Sequence, residues 1–582
     1  MQHHLLKLFH LTLTWSFLSM GFMACSTGKT GIVQDINSSD TFLNPILPGF
    51  YPDPSICRVG DDYYLIHSSF SYFPGVPIFH STDLVNWKQI GHILDRPEQL
   101  DVEGLGISRG IFAPTIQYDK GVFYMITTLI DNGGNFVVTA TDPAGPWSNP
   151  VWLRDVNGID PSIYFDEDGK SYVIYNSEAP ENAPLYDGHR TIRMIEFDKE
   201  NLTTIGDNRI LVNGGVNLEE KPVWIEGPHI FRREGYYYLT AAEGGTSVNH
   251  SQVILRTESL DKPFVPWTGN PILTQRHLDP DRPNPVSATG HADLVLTQNG
   301  EWWAVFLATR PYDLKDSYNI GRETFLAPVT WTEDGWPVIN PGHEKVQYRY
   351  TKPNLPSSGR PMDFHKSGNF TLTDNFDKAE LAPYWFFVRV PKEQWYQLDT
   401  GKGTLSVKLR PETASGNSNP SYLARRQQHW KGHVSTSMDF APEKSGEKAG
   451  LLAFQGEKNH LFFGKVHDGS SHAQLQVMKA GADGTMEVLE RLALSDKKQE
   501  GTLSLKIDFD RNIYVFQYTF GDGEWTEFYR FTDGEYLSTR VAGGFVGSTL
   551  GMYATSSGNP STVKAIFHNF IYTGDDDLFK DK

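Results

Sequence analysis

One short pattern recurs five times along this chain: a strand opener, a tight turn and a second strand rich in aromatic residues. The copies are Asp53-Pro54-Ser55-Ile56 before Tyr63-Tyr64-Leu65-Ile66, Ala113-Pro114-Thr115-Ile116 before Phe123-Tyr124-Met125-Ile126, Asp160-Pro161-Ser162-Ile163 before Tyr172-Val173-Ile174-Tyr175, Gly227-Pro228-His229-Ile230 before Tyr236-Tyr237-Tyr238-Leu239, and His291-Ala292-Asp293-Leu294 before Trp302-Trp303-Ala304-Val305. Turn signals such as Gly60-Asp61-Asp62, Asp168-Gly169 and Asn299-Gly300 separate the paired strands. Trp87 and Trp147 each fall 33 residues after the proline of their copy, with Trp267 a looser third. A unit of four short strands recurring every 47 to 67 residues matches a propeller blade, so the repeat predicts an all-β chain with a five-bladed β-propeller over 44–350. Tandem hairpins in a sandwich are the alternative.

Near Lys352-Pro353-Asn354-Leu355-Pro356 the repeat gives way to a proline- and serine-rich linker, taken as 351–364. Beyond it alternation becomes strict. Leu405, Val407 and Leu409 alternate with polar neighbours, as do Leu503, Leu505, Ile507 and Phe509 with Thr502, Ser504, Lys506 and Asp508. Such strands are half-buried and antiparallel, so 365–576 reads as a β-sandwich whose polar faces either bind carbohydrate or are simply solvated. The 53 glycines and 35 prolines suit a fold built from many turns.

The formal charge of −18 and the absence of cationic runs longer than pairs such as Arg232-Arg233 argue against nucleic acid as a partner. Only Cys25 and Cys57 are present, so neither a disulfide scaffold nor a cysteine zinc cluster can form. Residues 1–24 carry Lys7 and an apolar stretch from Leu11 to Ala24, and read as a secretory signal peptide. A small residue directly before Cys25 resembles a bacterial lipoprotein signal, in which Cys25 is lipidated. An ordinary signal peptide is the plainer alternative. On the lipoprotein reading 25–43 is a flexible tether, the only membrane contact is the lipid, and the protein is held in the periplasm or at the outer-membrane surface.

Blades place their first strands around a central channel, so matched positions on those strands converge. Here they hold Asp53, Ala113, Asp160, Gly227 preceded by Glu226, and His291. A single Asp-Pro dipeptide most often just opens a turn. Three acids at matched places around one funnel would repel one another unless they act on a proton or hold a cation.

Tyr51-Pro52-Asp53-Pro54-Ser55, Gly158-Ile159-Asp160-Pro161-Ser162, Ile225-Glu226-Gly227-Pro228-His229, Gly290-His291-Ala292-Asp293 and Thr309-Arg310-Pro311 resemble the motifs of glycoside hydrolase family 43. The likeness is greatest to its β-xylosidase and α-L-arabinofuranosidase branch, with a C-terminal β-sandwich of the concanavalin A-like, jelly-roll kind. It implies an inverting hydrolase that releases a terminal pentose from xylo- or arabinoxylo-oligosaccharides, β-D-xylosidase being preferred and α-L-arabinofuranosidase the close second. Asp53 would be the general base, Glu226 the general acid, and Asp160 the residue that orients the acid and raises its pKa. Arg310 would hold sugar hydroxyls and help keep Asp53 ionised. His291 would be either a hydrogen-bonded structural residue or a neighbour of bound calcium; no cofactor is otherwise required, and no calcium-loop run of oxygen ligands is present. Phe70, Tyr72 and Phe112 are expected to line the sugar pocket, although family members tend to have tryptophan at the positions of Tyr72 and Phe112. A sandwich loop would close one side of that pocket, as in relatives. A propeller that binds glycans without cleaving them is the alternative of another class, since it needs no acid–base pair across the funnel.

Overall fold

The computed structural model describes residues 40–356, 367–495, 501–521 and 523–580. Residues 1–24 and Cys25 lie outside them. Each repeat forms one antiparallel sheet whose strands follow one another in sequence. Blade one is Ser55–Val59, Asp62–Ile66, Gly75–Ser81 and Lys88–Leu94. Blade two is Gly110–Asp119, Val122–Ile130, Gly134–Ala140 and Val151–Trp152. Blade three is Ile159–Phe165, Ser171–Glu178, Arg190–Asp198 and Thr203–Asn213. Blade four is Glu226–Arg233, Tyr236–Glu243, Ser251–Thr257 and Val265–Pro266, with Leu273–Thr274 also paired to its third strand. Blade five is Ser287–Leu296, Trp302–Thr309, Glu323–Trp331 and Pro337–Ile339.

The tryptophan landmarks mark equivalent turns. Trp87 and Trp147 are both buried, and each indole N–H donates to a backbone carbonyl just upstream, that of Leu84 at 2.8 Å and that of Pro143 at 3.2 Å. Because every blade is contiguous in the chain, no blade is shared between the two ends, and the ring is closed by backbone pairing of Leu47 with Thr324 together with side-chain hydrogen bonds. Asp293 Oδ2 of blade five accepts from Ser55 Oγ at 3.0 Å and from the Ile56 amide at 2.9 Å, in blade one. Asn44 exchanges hydrogen bonds with the Leu326 backbone on the other side. Just before residue 44, Thr41–Leu43 forms a strand paired with Arg349–Thr351.

The second half is two packed sheets of nine and eight strands. In Leu503–Asp510 alternate residues are buried, as the sequence pattern predicts. The eight-stranded sheet ends on a piece of the propeller, Tyr72–Phe73, paired with Phe386–Val388. The two halves are thus joined through backbone as well as side chains. Arg426 reinforces the joint, donating to the Phe50 carbonyl at 2.7 Å while its guanidinium lies 4.1 Å from the Tyr51 ring centre.

Candidate active site

All five matched positions share an unusual backbone. Asp53, Ala113, Asp160, Gly227 and His291 have φ of 54°, 27°, 53°, 57° and 50°. In blades two to five the pairing of first and second strands shifts register here, between Phe112 and Thr115, Ile159 and Ser162, Glu226 and His229, and Gly290 and Asp293. A bulge with a left-handed residue re-aims side chains that a regular strand would send into the blade. Positive φ costs a non-glycine residue about 1–3 kcal/mol, a strain that surrounding structure sustains mostly at functional sites.

The result is one cavity of about 400 Å³ lined by Asp53, Asp160 and Glu226 together with His291, Phe70 and Phe112. Each of the three acids is at least nine-tenths buried. Their environments differ. Asp53 Oδ2 accepts from Ser68 Oγ at 2.6 Å, and Ser68 Oγ in turn accepts from the Ala113 amide at 2.7 Å, so blade two fixes the carboxylate of blade one. Burial pushes the Asp53 pKa up, but the Arg322 guanidinium 3.4 Å away, His291 and the Ser68 hydroxyl together hold it below the usual carboxylate value. Burial keeps His291 neutral, its pKa pushed down to about 4, so Arg322 supplies the standing positive charge.

Asp160 and Glu226 go the other way. Burial and then the negative charge of Asp53 push Asp160 up to about 7. Burial, Asp160 and Asp53, in that order, push Glu226 well above the ordinary glutamate value. Asp160 Oδ2 accepts the Gly227 amide at 3.2 Å, which ties it to the backbone of the residue after Glu226. One carboxylate is held ionised and another protonated within one cavity, the division of labour that general acid–base chemistry requires.

Two expected pocket residues lie elsewhere. Arg310 is fully buried away from the cavity, its guanidinium paired with Glu323 at 2.6 Å and with Asp576 of the sandwich at 3.2 Å. It is a structural clamp, and the cation beside Asp53 is Arg322. Tyr72 is also buried, packed between Phe50 and Phe386 with ring centres 5.3 and 4.8 Å away, because its strand has joined the sandwich sheet. The place expected for a third pocket aromatic is taken by Phe545 of the sandwich, stacked 6.4 Å from Phe70 and edge-on to Phe112 at 5.6 Å.

Arg109, Arg190, Trp224 and Thr246 also line the cavity without having been marked by the repeat. Arg190 lies 4.2 Å over the Trp224 ring and steadies this half-exposed indole at the mouth. The one detectable signal for it was the tryptophan two residues before Glu226. As to calcium, among the described residues no group of three or more His, Cys, Asp or Glu side chains is placed to hold an ion. Asp293, a carboxylate in this region, already holds Ser55 and Ile56 and lies 3.6 Å from His229.

A five-bladed propeller presenting an ionised and a protonated carboxyl to one sugar-sized cavity defines a glycoside hydrolase. Residues 42–337 match the family model described as glycosyl hydrolases family 43, and residues 373–573 match the β-xylosidase C-terminal concanavalin A-like domain. The chain belongs to glycosyl hydrolase family 43. It is 42% identical to a xylosidase/arabinosidase of Butyrivibrio fibrisolvens, over 89% of this chain and 96% of that one. It is 37% identical to the non-reducing end α-L-arabinofuranosidase BoGH43B of Bacteroides ovatus, over 91% of this chain and 94% of the relative. Among solved structures, a GH43 protein retrieved from a capybara gut metagenome superposes with a TM-score of 0.82 at 41% identity, covering 89% of this chain and 95% of the other.

Proposed function

We propose that this enzyme is an inverting, exo-acting pentosidase that releases terminal β-D-xylosyl groups from xylo- and arabinoxylo-oligosaccharides, with Asp53 as general base and Glu226 as general acid. The observation that carries the reading is the opposite tuning of these two carboxyls in one cavity. Asp53 takes a proton from water on one face of the sugar while Glu226 gives one to the departing oxygen on the other, which needs the carboxyls about 6.5–9.5 Å apart. Asp160 keeps its proton-rich partner charged with a proton and oriented through the Gly227 amide. Phe70, Phe112 and Phe545 offer apolar ring surfaces to the C–H faces of the sugar. The wall formed by Phe545 favours action on a chain end.

A second activity, on terminal α-L-arabinofuranosides, is favoured by the Bacteroides ovatus relative and by the smaller ring of Phe112 where family members tend to have tryptophan. Pentose release from xylobiose and from 4-nitrophenyl α-L-arabinofuranoside, with the anomer of the first product followed by proton NMR, tests both. Retained configuration, or no release from either, would overturn the reading. The acid–base pair supplies the chemistry without a metal. Secretion and anchoring through Cys25 rest on the N-terminal sequence; radiolabelled palmitate should enter the wild-type protein and not the Cys25→Ala variant.

A further inference from the structure

Beside the catalytic funnel, on the same blade as Glu226, lies a second groove of about 500 Å³ that the chemistry above leaves unused. Glu226 pairs with Ala242 across the first two strands of blade four, and the next residue, Glu243, turns into this groove. The two spaces share a wall. Val223 lines both, and of two consecutive glycines Gly244 lines the groove and Gly245 the funnel. Both glycine amides donate to the Val223 carbonyl, at 2.9 and 3.2 Å, which fixes the ridge. A Cβ on Gly244 would lie 2.1 Å from the Asn249 carbonyl oxygen, so this position is bare of side chain by necessity.

The groove is lined by groups that can hydrogen-bond the hydroxyls of a sugar chain, among them Asn217, Glu243, Asn249 and Ser251. Glu243 is 7% exposed, and its Oε1 accepts the Val216 amide at 2.7 Å, which leaves Oε2 for a ligand hydroxyl. Burial pushes its pKa up to about 7, with the Val216 amide and then the charge of Arg276 opposing. Asn217 and Arg276 stand exposed at the rim, and the half-buried Trp267 forms part of the wall. A general acid must touch the oxygen of the bond it breaks, so the leaving group departs on the Glu226 side of the cavity. Val223, Gly244 and Gly245 form the wall between that cavity and the groove.

We propose, resting on the pentosidase reading, that this groove binds the neutral oligosaccharide chain from which the terminal sugar is cut, several residues beyond the scissile bond. The enzyme then recognises long main chains as well as the terminal pentose. Binding energy from a remote part of a substrate shows up in comparisons between long and truncated substrates. The test compares xylobiose with xylohexaose. In Glu243→Ala, and independently in the double rim variant Asn217→Ala/Arg276→Ala, the ratio of kcat/KM for xylohexaose to that for xylobiose should fall about tenfold from its wild-type value. An unchanged ratio in the rim variant, whose exposed side chains are not needed for folding, overturns the proposal. Calorimetry with the Glu226→Gln protein separates this failure from failure of the catalytic reading: xylohexaose should bind more tightly than xylobiose, and adding the rim substitutions should abolish the difference. Equal affinities would sink the groove even in a protein that hydrolyses both sugars, and a difference would support it even in a protein that hydrolyses neither.

Discussion

Gly227 and His291 meet face to face at the propeller axis: a Cβ on Gly227 would lie 2.6 Å from both Cδ2 and Nε2 of the histidine ring. That ring is in turn 3.5 Å from Asp53. The residue after Glu226 is therefore packed against the residue that flanks Asp53. Gly227→Ala should displace His291 and with it Asp53. Misplacement of a catalytic group by about 1 Å costs about 100-fold in rate, so kcat should fall by that order while circular dichroism stays unchanged. Wild-type kcat would show that the ring can move without consequence.

Removing either member of the acid–base pair should have distinguishable effects. Asp53→Ala should lose about 10³-fold or more on every substrate, because water activation is needed whatever leaves. Glu226→Ala should lose as much on xylobiose but far less on a 4-nitrophenyl pentoside, whose leaving group departs without a proton. Steady-state kinetics on the two substrates provides the check.

The pH profile of kcat/KM follows from the same tuning. On the proposed mechanism, activity needs Asp53 ionised and Glu226 protonated. The acid limb should lie below the usual carboxylate range, since Asp53 is held low, and the alkaline limb should reflect the raised Glu226. Taking away the Arg322 charge disfavours the Asp53 anion, so in Arg322→Met the acid limb should move to higher pH. An acid limb that stays in place would remove Arg322 from this role.

Arg310 should behave as a structural residue. Its replacement by methionine leaves Glu323 and Asp576 buried without their cation, a change that costs about 3–5 kcal/mol in comparable buried pairs. Urea unfolding should register that loss, and Arg310→Met/Glu323→Gln should recover part of it. KM for a 4-nitrophenyl pentoside should remain within twofold of wild type at temperatures where the variant is folded.

Phe545 brings the sandwich to the wall of the cavity. Phe545→Ala should raise KM for terminal pentosides about tenfold, the equivalent of about 1.4 kcal/mol of lost contact, with a smaller effect on thermal stability because the ring is only half-buried.

The blade register was readable because the repeat is local. Each copy carries its own turn and its own aromatic strand, and the matched positions proved to share one backbone conformation. The acids could be grouped for the same reason. The arginines could not. Arg310 directly follows the second strand of blade five and Arg322 directly precedes the third, so either could face the axis. What separates them is Asp576, near the far end of the chain, which captures Arg310. Tyr72 was misplaced by a similar long-range event, the capture of its strand by the sandwich sheet.

By itself the sequence determined the five blades, the alternating strands of the sandwich and the three carboxylates, all of which follow from spacing and side-chain period within short stretches. Only the tertiary structure decided which cation steadies Asp53 and that Phe545 walls the pocket. These depend on contacts between segments hundreds of residues apart, such as Asp53 with Arg322. Burial and neighbouring charge tune the acids, and neither exists until the chain has closed its ring.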